Sequence, residues 1–304
     1  ATNPCGEEPL LPFEACNLGS INLSLFVTDG KINWDLLREV AGKATRFLDN
    51  GIDKNIYPAP EIEAATKMTR KVGLGVMGFH DMLLKLGLPY DSQEALKLAE
   101  KVMEQVTSAS IRESRKLALE KGAFPEYDDS MWELPMRNAA LTAVAPTGTI
   151  SILAGCSAGI EPVFSWVYRR THTVGREFML VHPFFKTHFK SKLPEADYNW
   201  LLEHIYKYGT LQNMENPKLV SEEEKQLFRS ALDIDWKAHI DMQAAFQRHC
   251  HAGISKTINM PGSAGKEDIK QALIYAWKQG LKGLTIYRIG SRQHVVLSLQ
   301  KSQN

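Results

Sequence analysis

NPCGEEPLLPFEACNLGSINL, residues 3–23, is the stretch on which the reading of this chain turns. Asn3, Cys5 and Glu7 stand at alternate positions, so in an extended or finger-like loop their side chains project to one side. An amide, a thiol and a carboxylate then share one small site. A thiol can give up a hydrogen atom as well as a proton, a carboxylate can take a proton from a hydroxyl, and an amide can hold a second hydroxyl. That set suits radical chemistry on a vicinal diol. Pro4 and Gly6 shape the backbone between the three. An Asn-x-Cys-x-Glu spacing by itself arises often by chance, so the length of the surrounding string has to carry the argument.

Outward from this stretch, residues 20–27 (SINLSLFV) are apolar and β-leaning. A helix is expected next, with Asn33 as N-cap and Leu37, Val40, Ala41, Ala44 and Leu48 on one face. A second long helix is expected from Asp91, where Asp-Ser-Gln-Glu reads as a capping box, through Leu96, Val102 and Leu117 to a stop at Gly122. Three short β-like runs follow, at 141–145, 255–260 and 283–288, with helical patterns between them. Such alternation favours parallel α/β units. Residues 173–250 break the pattern and read as consecutive helices over 172–190, 198–208, 221–232 and 236–250, an insertion packed outside the sheet.

Composition narrows the function classes. Lys plus Arg number 36 against 35 Asp plus Glu, so a formal net charge of +1 in 304 residues gives no field to attract a nucleic-acid polymer or an anionic membrane. A small molecule is the better ligand class. Four cysteines without a CxxC pair do not make a disulfide framework, which points to a reducing, cytoplasmic setting. No apolar run approaches the roughly 20 residues of a membrane span. The chain opens on Ala1, directly at its densest motif, which leads us to expect the C-terminal part of a longer protein.

After the run at 141–145 come Pro146, Thr147, Gly148, Thr149, Ile150 and Ser151, a small-residue turn and a helix start. Free backbone N–H groups at such a start can hold a phosphate without a Walker lysine. The bland alternative is a βα turn with a threonine cap.

The full string at 3–23 resembles the active-site segment of ribonucleotide reductases almost residue for residue. The resemblance implies that Cys5 is the thiyl-radical cysteine that abstracts the 3′ hydrogen, that Glu7 is the base for the 3′ hydroxyl, and that Asn3 binds the substrate hydroxyls. It makes Cys16 one member of the reducing cysteine pair, whose partner the family carries on a strand before the radical loop. Cys156 and Cys250 do not match that partner and are expected to be inert core thiols. APTGTISILAGCSAGIEPVF, residues 145–164, resembles the family's phosphate-binding loop, which assigns residues 146–151 to the substrate phosphates and leaves Glu161 structural. SKTINMP at 255–261 and KGLTIYR at 282–288 resemble the adenosylcobalamin-dependent class. The iron-dependent class relays its radical through adjacent tyrosines, whereas here Ile286 precedes a single Tyr287, which is read as a packing residue. Adenosylcobalamin is therefore the cofactor implied. Leu281 and Ile289 depart from the family's usual Cys and Asp, and the tail lacks the cysteine pair that reloads the active site.

The fold implied is α/β, the C-terminal half of the ten-stranded ribonucleotide reductase α/β barrel. It comprises a central finger loop at 1–19, barrel to 292, a helical insertion at about 173–250, and a tail at 293–304. The activity implied is reduction of ribonucleoside di- or triphosphates to the 2′-deoxy form for DNA synthesis. Implied partners are the N-terminal part of the enzyme, a thioredoxin-like or glutaredoxin-like reductant, and a second copy in a homodimer. The rival readings are an iron-dependent large subunit, and a non-catalytic half or remnant that scaffolds a partner chain.

Three signals are declined as sites. GLGVMG at 73–78 matches the dinucleotide fingerprint, but it follows KMTRKV and lacks an acidic residue at the right distance, so it is read as a barrel helix with glycines for close packing. His249-Cys250-His251 on a helix end point in different directions and do not make a metal site. Lys186, Lys190 and Lys192 beside Phe184, Phe185 and Phe189 read as a solvated helix face rather than a nucleic-acid surface.

Overall fold

The computed structural model describes residues 1–171 and 177–291. Four of its strands and an extended segment line up in parallel, apart from two antiparallel hairpins. Strand β1 (Asn17–Asn22) pairs in parallel with β4 (Val72–Met77), Asn17 opposite Val72 and Asn22 opposite Met77. Residues 140–145 extend the array: the Leu74 N–H donates to the Leu141 carbonyl at 2.8 Å and Ala143 N–H to the Leu74 carbonyl at 3.3 Å. The next segment joins through a parallel bridge between Val144 and Ile254 and runs on into β7 (Thr257–Met260). Strand β8 (Thr285–Arg288) closes the series in parallel with β7. Five consecutive parallel segments joined by helical crossovers fit the half-barrel expectation.

The glycine-rich run at 73–78 is a strand and a tight exit, not the expected helix. Every residue from Val72 to Met77 is buried. Gly75 is there because a Cβ would lie 2.1 Å from the Ala143 carbonyl oxygen on the neighbouring segment. Gly78, at φ +70°, turns the chain directly into α3 (Phe79–Lys85). A run buried on both faces carries no alternation, and so its period could not identify it.

Between β1 and β4 lie a 3-10 turn (Leu23–Phe26), the hairpin β2 (Val27–Thr28) and β3 (Lys31–Ile32), and helices α1 (Trp34–Lys54) and α2 (Pro60–Thr69). The expected strand at 20–27 stops early because the Asn22 side chain accepts from both the Ser24 N–H and its hydroxyl, starting the turn. Asn33 caps α1 through the Leu36 N–H at 3.0 Å, as its position predicts. Helix α4 (Gln93–Lys121) is capped by Ser92 rather than Asp91, whose carboxylate is taken by Arg229, and it stops at Gly122.

Residues 172–190 are not one helix. A hairpin of β5 (Val167–Thr171) and β6 (Glu177–Val181) precedes α6 (Pro183–Lys192), with Pro183 fitting the first helical turn. Helices α5 (Gly148–Ala154), α7 (Glu195–Tyr208), α8 (Glu222–Leu227), α9 (Trp236–Gln247) and α10 (Lys266–Lys278) complete the described elements. The insertion expected at 173–250 lies partly, and the tail expected at 293–304 wholly, outside the described residues. Among the described helices none is long and apolar enough to cross a membrane.

The main core gathers Leu37, Leu48 and Ile52 of α1, Val72, Leu74 and Val76 of β4, Val102 and Val106 of α4, and Phe246 of α9. A charge cluster sits at its edge. Asp49 of α1 is fully buried and receives Arg70 Nη2 at 2.8 Å and the Asn138 amide at 3.0 Å, while Arg70 Nη1 reaches Asp53 at 2.8 Å. Removing Arg70 takes the closest cation from a fully buried carboxylate, leaving Arg137 and Lys121 at 3.5 and 3.6 Å to offset part of the loss, whereas a pair at the surface is worth little. Arg70→Met is therefore expected to lower stability by about 3–5 kcal/mol, and Arg46→Met, which breaks a half-exposed pairing with Glu113 and Glu120, by no more than about 1 kcal/mol. Denaturant unfolding of the two variants measures the difference, and equal losses would contradict it.

Candidate active site

The N-terminal segment is a hairpin-like finger whose ends bridge at Thr2 and Pro9. It is not extended through its middle: the Gly6 N–H donates to the Asn3 carbonyl at 3.0 Å, and Gly6 takes φ +82°. This turn over Pro4 and Gly6 replaces the simple alternation. It leaves Cys5 exposed at the tip and sends Glu7 inward to 1% exposure, while Asn3 is half-buried with its Oδ1 accepting from the Glu8 N–H at 3.1 Å. The Glu7 carbonyl accepts from Gly253 N–H at 2.7 Å, and a Cβ on Gly253 would lie 3.1 Å from the Glu7 Cα. Glu7 Oε2 is buried with no partner. Such an atom is costly unless something completes it, which suits a carboxylate built to meet a substrate hydroxyl.

Glu8, which the alternation reading passed over, is also buried, at 2% exposure. Its Oε1 has no partner and lies where a Cβ on Gly73 would come within 2.2 Å. Burial pushes the Glu8 carboxyl up to about 7; the Cys16 thiol opposes this as a hydrogen-bond donor, and the Glu7 charge adds to it. Cys16, at the head of β1, is half-buried, with the Asn17 carbonyl 3.6 Å from its sulfur, and burial together with Glu8 raises its thiol far above the ordinary range. Nearby, Glu14 accepts from the Thr69 hydroxyl at 2.6 Å and pairs with Lys71 at 2.7 Å, which ties the end of the finger to α2 and β4. A run of two adjacent carboxylates after Cys5 was the one sequence signal for Glu8.

At the far end of the array, Pro146 to Ser151 lead into α5. Thr147 adopts φ +53° and its side chain does not cap the helix, so the threonine-cap alternative fails. Its hydroxyl instead accepts from Gly159 N–H at 2.7 Å, fastening the loop to the 155–161 turn. Gly148, Thr149 and Ile150 are exposed, Ser151 is buried, and Pro146 is intermediate. A cavity of about 520 Å³ opens beside this loop, lined among others by Gly148, Ser151, Ser157, Thr257, Asn259 and Tyr287. Tyr287 thus faces a cavity, with Ile286 behind it packing into the α9–α10 cluster. Gly253, against the finger, precedes Thr257 of the cavity by four residues, about 13 Å of extended chain.

Glu161, expected to be structural, both fastens elements together and lines the cavity. It pairs with the buried Lys256 at 2.8 Å and accepts from the Thr257 N–H, while Lys256 also contacts His239 Nδ1 at 2.9 Å. Cys250 is buried against the Thr142 carbonyl at 3.3 Å and its thiol is pushed up to about 12 by burial; Cys156 rises to about 11 for the same reason. Both are poor nucleophiles. His249 lies 3.7 Å from Glu100 and the His251 ring packs edge-on against Trp132, so the His-Cys-His run diverges; among the described residues no group of three or more His, Cys, Asp or Glu could hold a metal ion. Phe185 and Phe189 face the core beneath α6, and Lys192 pairs with Glu224.

A parallel five-segment array with a finger loop laid against it is half of an α/β barrel, and comparison with known proteins agrees. The family described as ribonucleotide reductase, barrel domain, matches residues 1–135 and 131–287. The chain belongs to this family. It is 48% identical over 302 residues to a vitamin B12-dependent ribonucleoside-diphosphate reductase of Thermoplasma acidophilum, covering 98% of this chain and 38% of that protein. A protein of the same description from Mycobacterium tuberculosis is 47% identical over 300 residues, covering 98% of this chain and 42% of that one. The chain thus spans about two fifths of the length of these relatives. The class Id ribonucleotide reductase alpha subunit of Actinobacillus ureae shares the fold at a TM-score of 0.73 and 24% identity, over 90% of this chain and 50% of that one.

The buried Glu8 sets a pH dependence of stability. Its folded pKa of about 7 lies above the ordinary 4.5, so between these values the folded chain holds more protons than the unfolded one. Stability contributed by this site is full below about 4.5 and is lost as pH rises through 7. Glu8→Gln is expected to remove that decline and to leave the protein more stable above pH 7, by on the order of 3 kcal/mol. Urea unfolding at pH 5 and pH 8 checks this, and a variant with the wild-type pH slope would contradict the assignment.

Proposed function

We propose that this chain is the radical-bearing barrel part of an adenosylcobalamin-dependent ribonucleotide reductase acting on ribonucleoside diphosphates. The carrying observation is the finger loop, which presents an exposed Cys5 and, two residues on, the buried, partnerless Glu7 carboxylate. Supporting it is the 47–48% identity to relatives described as vitamin B12-dependent ribonucleoside-diphosphate reductases.

In this reading Cys5, as a thiyl radical, takes the 3′ hydrogen of the ribose while Glu7 takes the 3′ hydroxyl proton and Asn3 orients the hydroxyls. Cys16 supplies one of the two reducing thiols. The exposed N–H groups and hydroxyl of Gly148, Thr149 and Ile150, with Pro146, Thr147 and Ser151 shaping the loop, receive the phosphates. Thr147 acts there through Gly159 rather than by direct contact.

The residues present fit the cobalamin cofactor. Cys5 is exposed at a loop tip, flanked by Gly6, and a Cβ on Gly283 would lie 4.0 Å from the Gly6 carbonyl oxygen, so glycines stand on both sides of the tip. When bound, the cofactor supplies a radical by homolysis of its cobalt–carbon bond. Ile286 ahead of Tyr287 leaves no adjacent tyrosine pair to bring a radical from another subunit.

We assign residues 1–292 to the barrel with the finger at 1–19, and the segment from about 173 to 250 to an insertion. The working enzyme would include the N-terminal part, act in the cytoplasm as a homodimer, and be re-reduced by a thioredoxin-like or glutaredoxin-like dithiol.

The test is deoxynucleotide formation from CDP by the full-length protein with dithiothreitol, with and without adenosylcobalamin. Turnover only with the cofactor is expected. Turnover that needs an iron subunit would move the chain to the other class, and none under either condition would favour a scaffold. In the same assay Cys5→Ala should abolish product, and Cys16→Ala, which removes one of the two thiols that supply the electrons, should stop turnover while still permitting radical formation. Thr149→Ala should raise KM about tenfold with kcat little changed, from the loss of one hydrogen bond to a charged group. A kcat loss without a KM change would remove Thr149 from the phosphate site.

A further inference from the structure

Cys16 and Glu8 reach the same point from two different elements. Cys16 stands just ahead of Asn17, which pairs with Val72, and Leu18 pairs with Gly73. The Glu8 carboxylate lies over Gly73, beside the Leu18 side chain, and Cys16 stands two residues before Leu18 along the same extended chain, so thiol and carboxylate are neighbours and each shifts the other's protonation. The carboxylate keeps one buried oxygen without a partner. The cation closest to the pair in effect, Lys71, is committed to Glu14. The remaining charged or titratable groups felt by the pair are Glu7 and Glu14 of the finger and Cys250 beyond α9.

We propose that Glu8 is the proton acceptor and donor for the Cys16 thiol, so that this sulfur reacts through concerted proton transfer to Glu8 and never through a free thiolate. The proposal deepens the redox role given to Cys16 above. A thiolate beside a buried carboxylate is disfavoured twice, by burial and by like charge. The carboxylate can instead take the proton while the sulfur forms its new bond.

The step balances for a simple electrophile: Cys16–SH, the Glu8 carboxylate and iodoacetamide give Cys16–S–CH2CONH2, the Glu8 carboxylic acid and iodide. The S–H and C–I bonds break and the S–C bond forms. In re-reduction by a dithiol the direction reverses at Glu8. The attacking thiolate breaks the Cys16 disulfide and forms a new one with its partner sulfur, and the Glu8 carboxylic acid protonates the departing Cys16 sulfur.

The experiment is the pH profile of Cys16 alkylation by iodoacetamide in the full-length protein, with Cys5, Cys156 and Cys250 replaced by Ala, read by peptide mass spectrometry. In that background the rate should rise along a sigmoid centred near pH 7, the titration of Glu8. Glu8→Gln should slow alkylation at pH 8 at least tenfold, toward the low end of general-base effects. A merely electrostatic Glu8 gives the opposite sign, because removing its charge eases thiolate formation. Equal or faster alkylation in Glu8→Gln therefore overturns the proposal. A second readout does not depend on reactivity: carbon-13 NMR of the Glu8 carboxyl should show its midpoint rising when Cys16→Ala removes the donor. An unmoved midpoint also overturns it. Neither readout requires nucleotide reduction, so the pair can stand or fall apart from the reductase assay.

Discussion

Backbone contact between the finger and the sheet governs this structure. Glu7 and Glu8 lie against Gly253 and Gly73, and at both points a Cβ would meet finger atoms, 3.1 Å from the Glu7 Cα and 2.2 Å from Glu8 Oε1. The hydrogen bond from Gly253 to the Glu7 carbonyl then fixes the finger against the segment that becomes β7. The depth of Glu7, the exposure of Cys5 and the meeting of Glu8 with Cys16 all follow from that approach. Two glycines on different strands thus set the site as much as the residues that perform its chemistry.

Much of this was legible. The Asn33 cap, the Gly122 stop, the parallel α/β alternation and the loop at 146–151 all read from local chemistry, because caps and turns are decided by neighbours in sequence. Other features depend on partners far along the chain. Val72–Met77 lacks a period because both its faces are buried, and Asp91 loses its capping role to Arg229, 138 residues away. Glu8 was hidden for a related reason. The turn at Gly6 overrides simple alternation, so counting every second residue put Glu7 in the site and Glu8 outside it, although the fold buries both.

The buried charges divide into two kinds. Those around Asp49 and Arg70, and the Lys256–Glu161 pair, are matched by opposite charge and hydrogen bonds, and they lock elements together. Glu7 and Glu8 each keep an oxygen with no partner. Matched groups specify geometry, while an unmatched buried oxygen raises the free energy of the folded state.

The segment between Val163 and Phe228 has an apolar cluster of its own, in which Trp166, Phe185, Phe189 and Phe228 are wholly buried and pack ring against ring. It meets α3 at Leu84, which belongs to the cluster, through the Val163 N–H donating to His80 Nδ1 at 2.8 Å, and through the His182–Asp81 pair at 3.1 Å. A segment with its own aromatic centre buries its apolar surface largely within itself rather than in the main core. The strands that hold the finger draw their packing from the main core instead, so the two centres divide the chain's apolar burial between the scaffold of the site and the segment beside it.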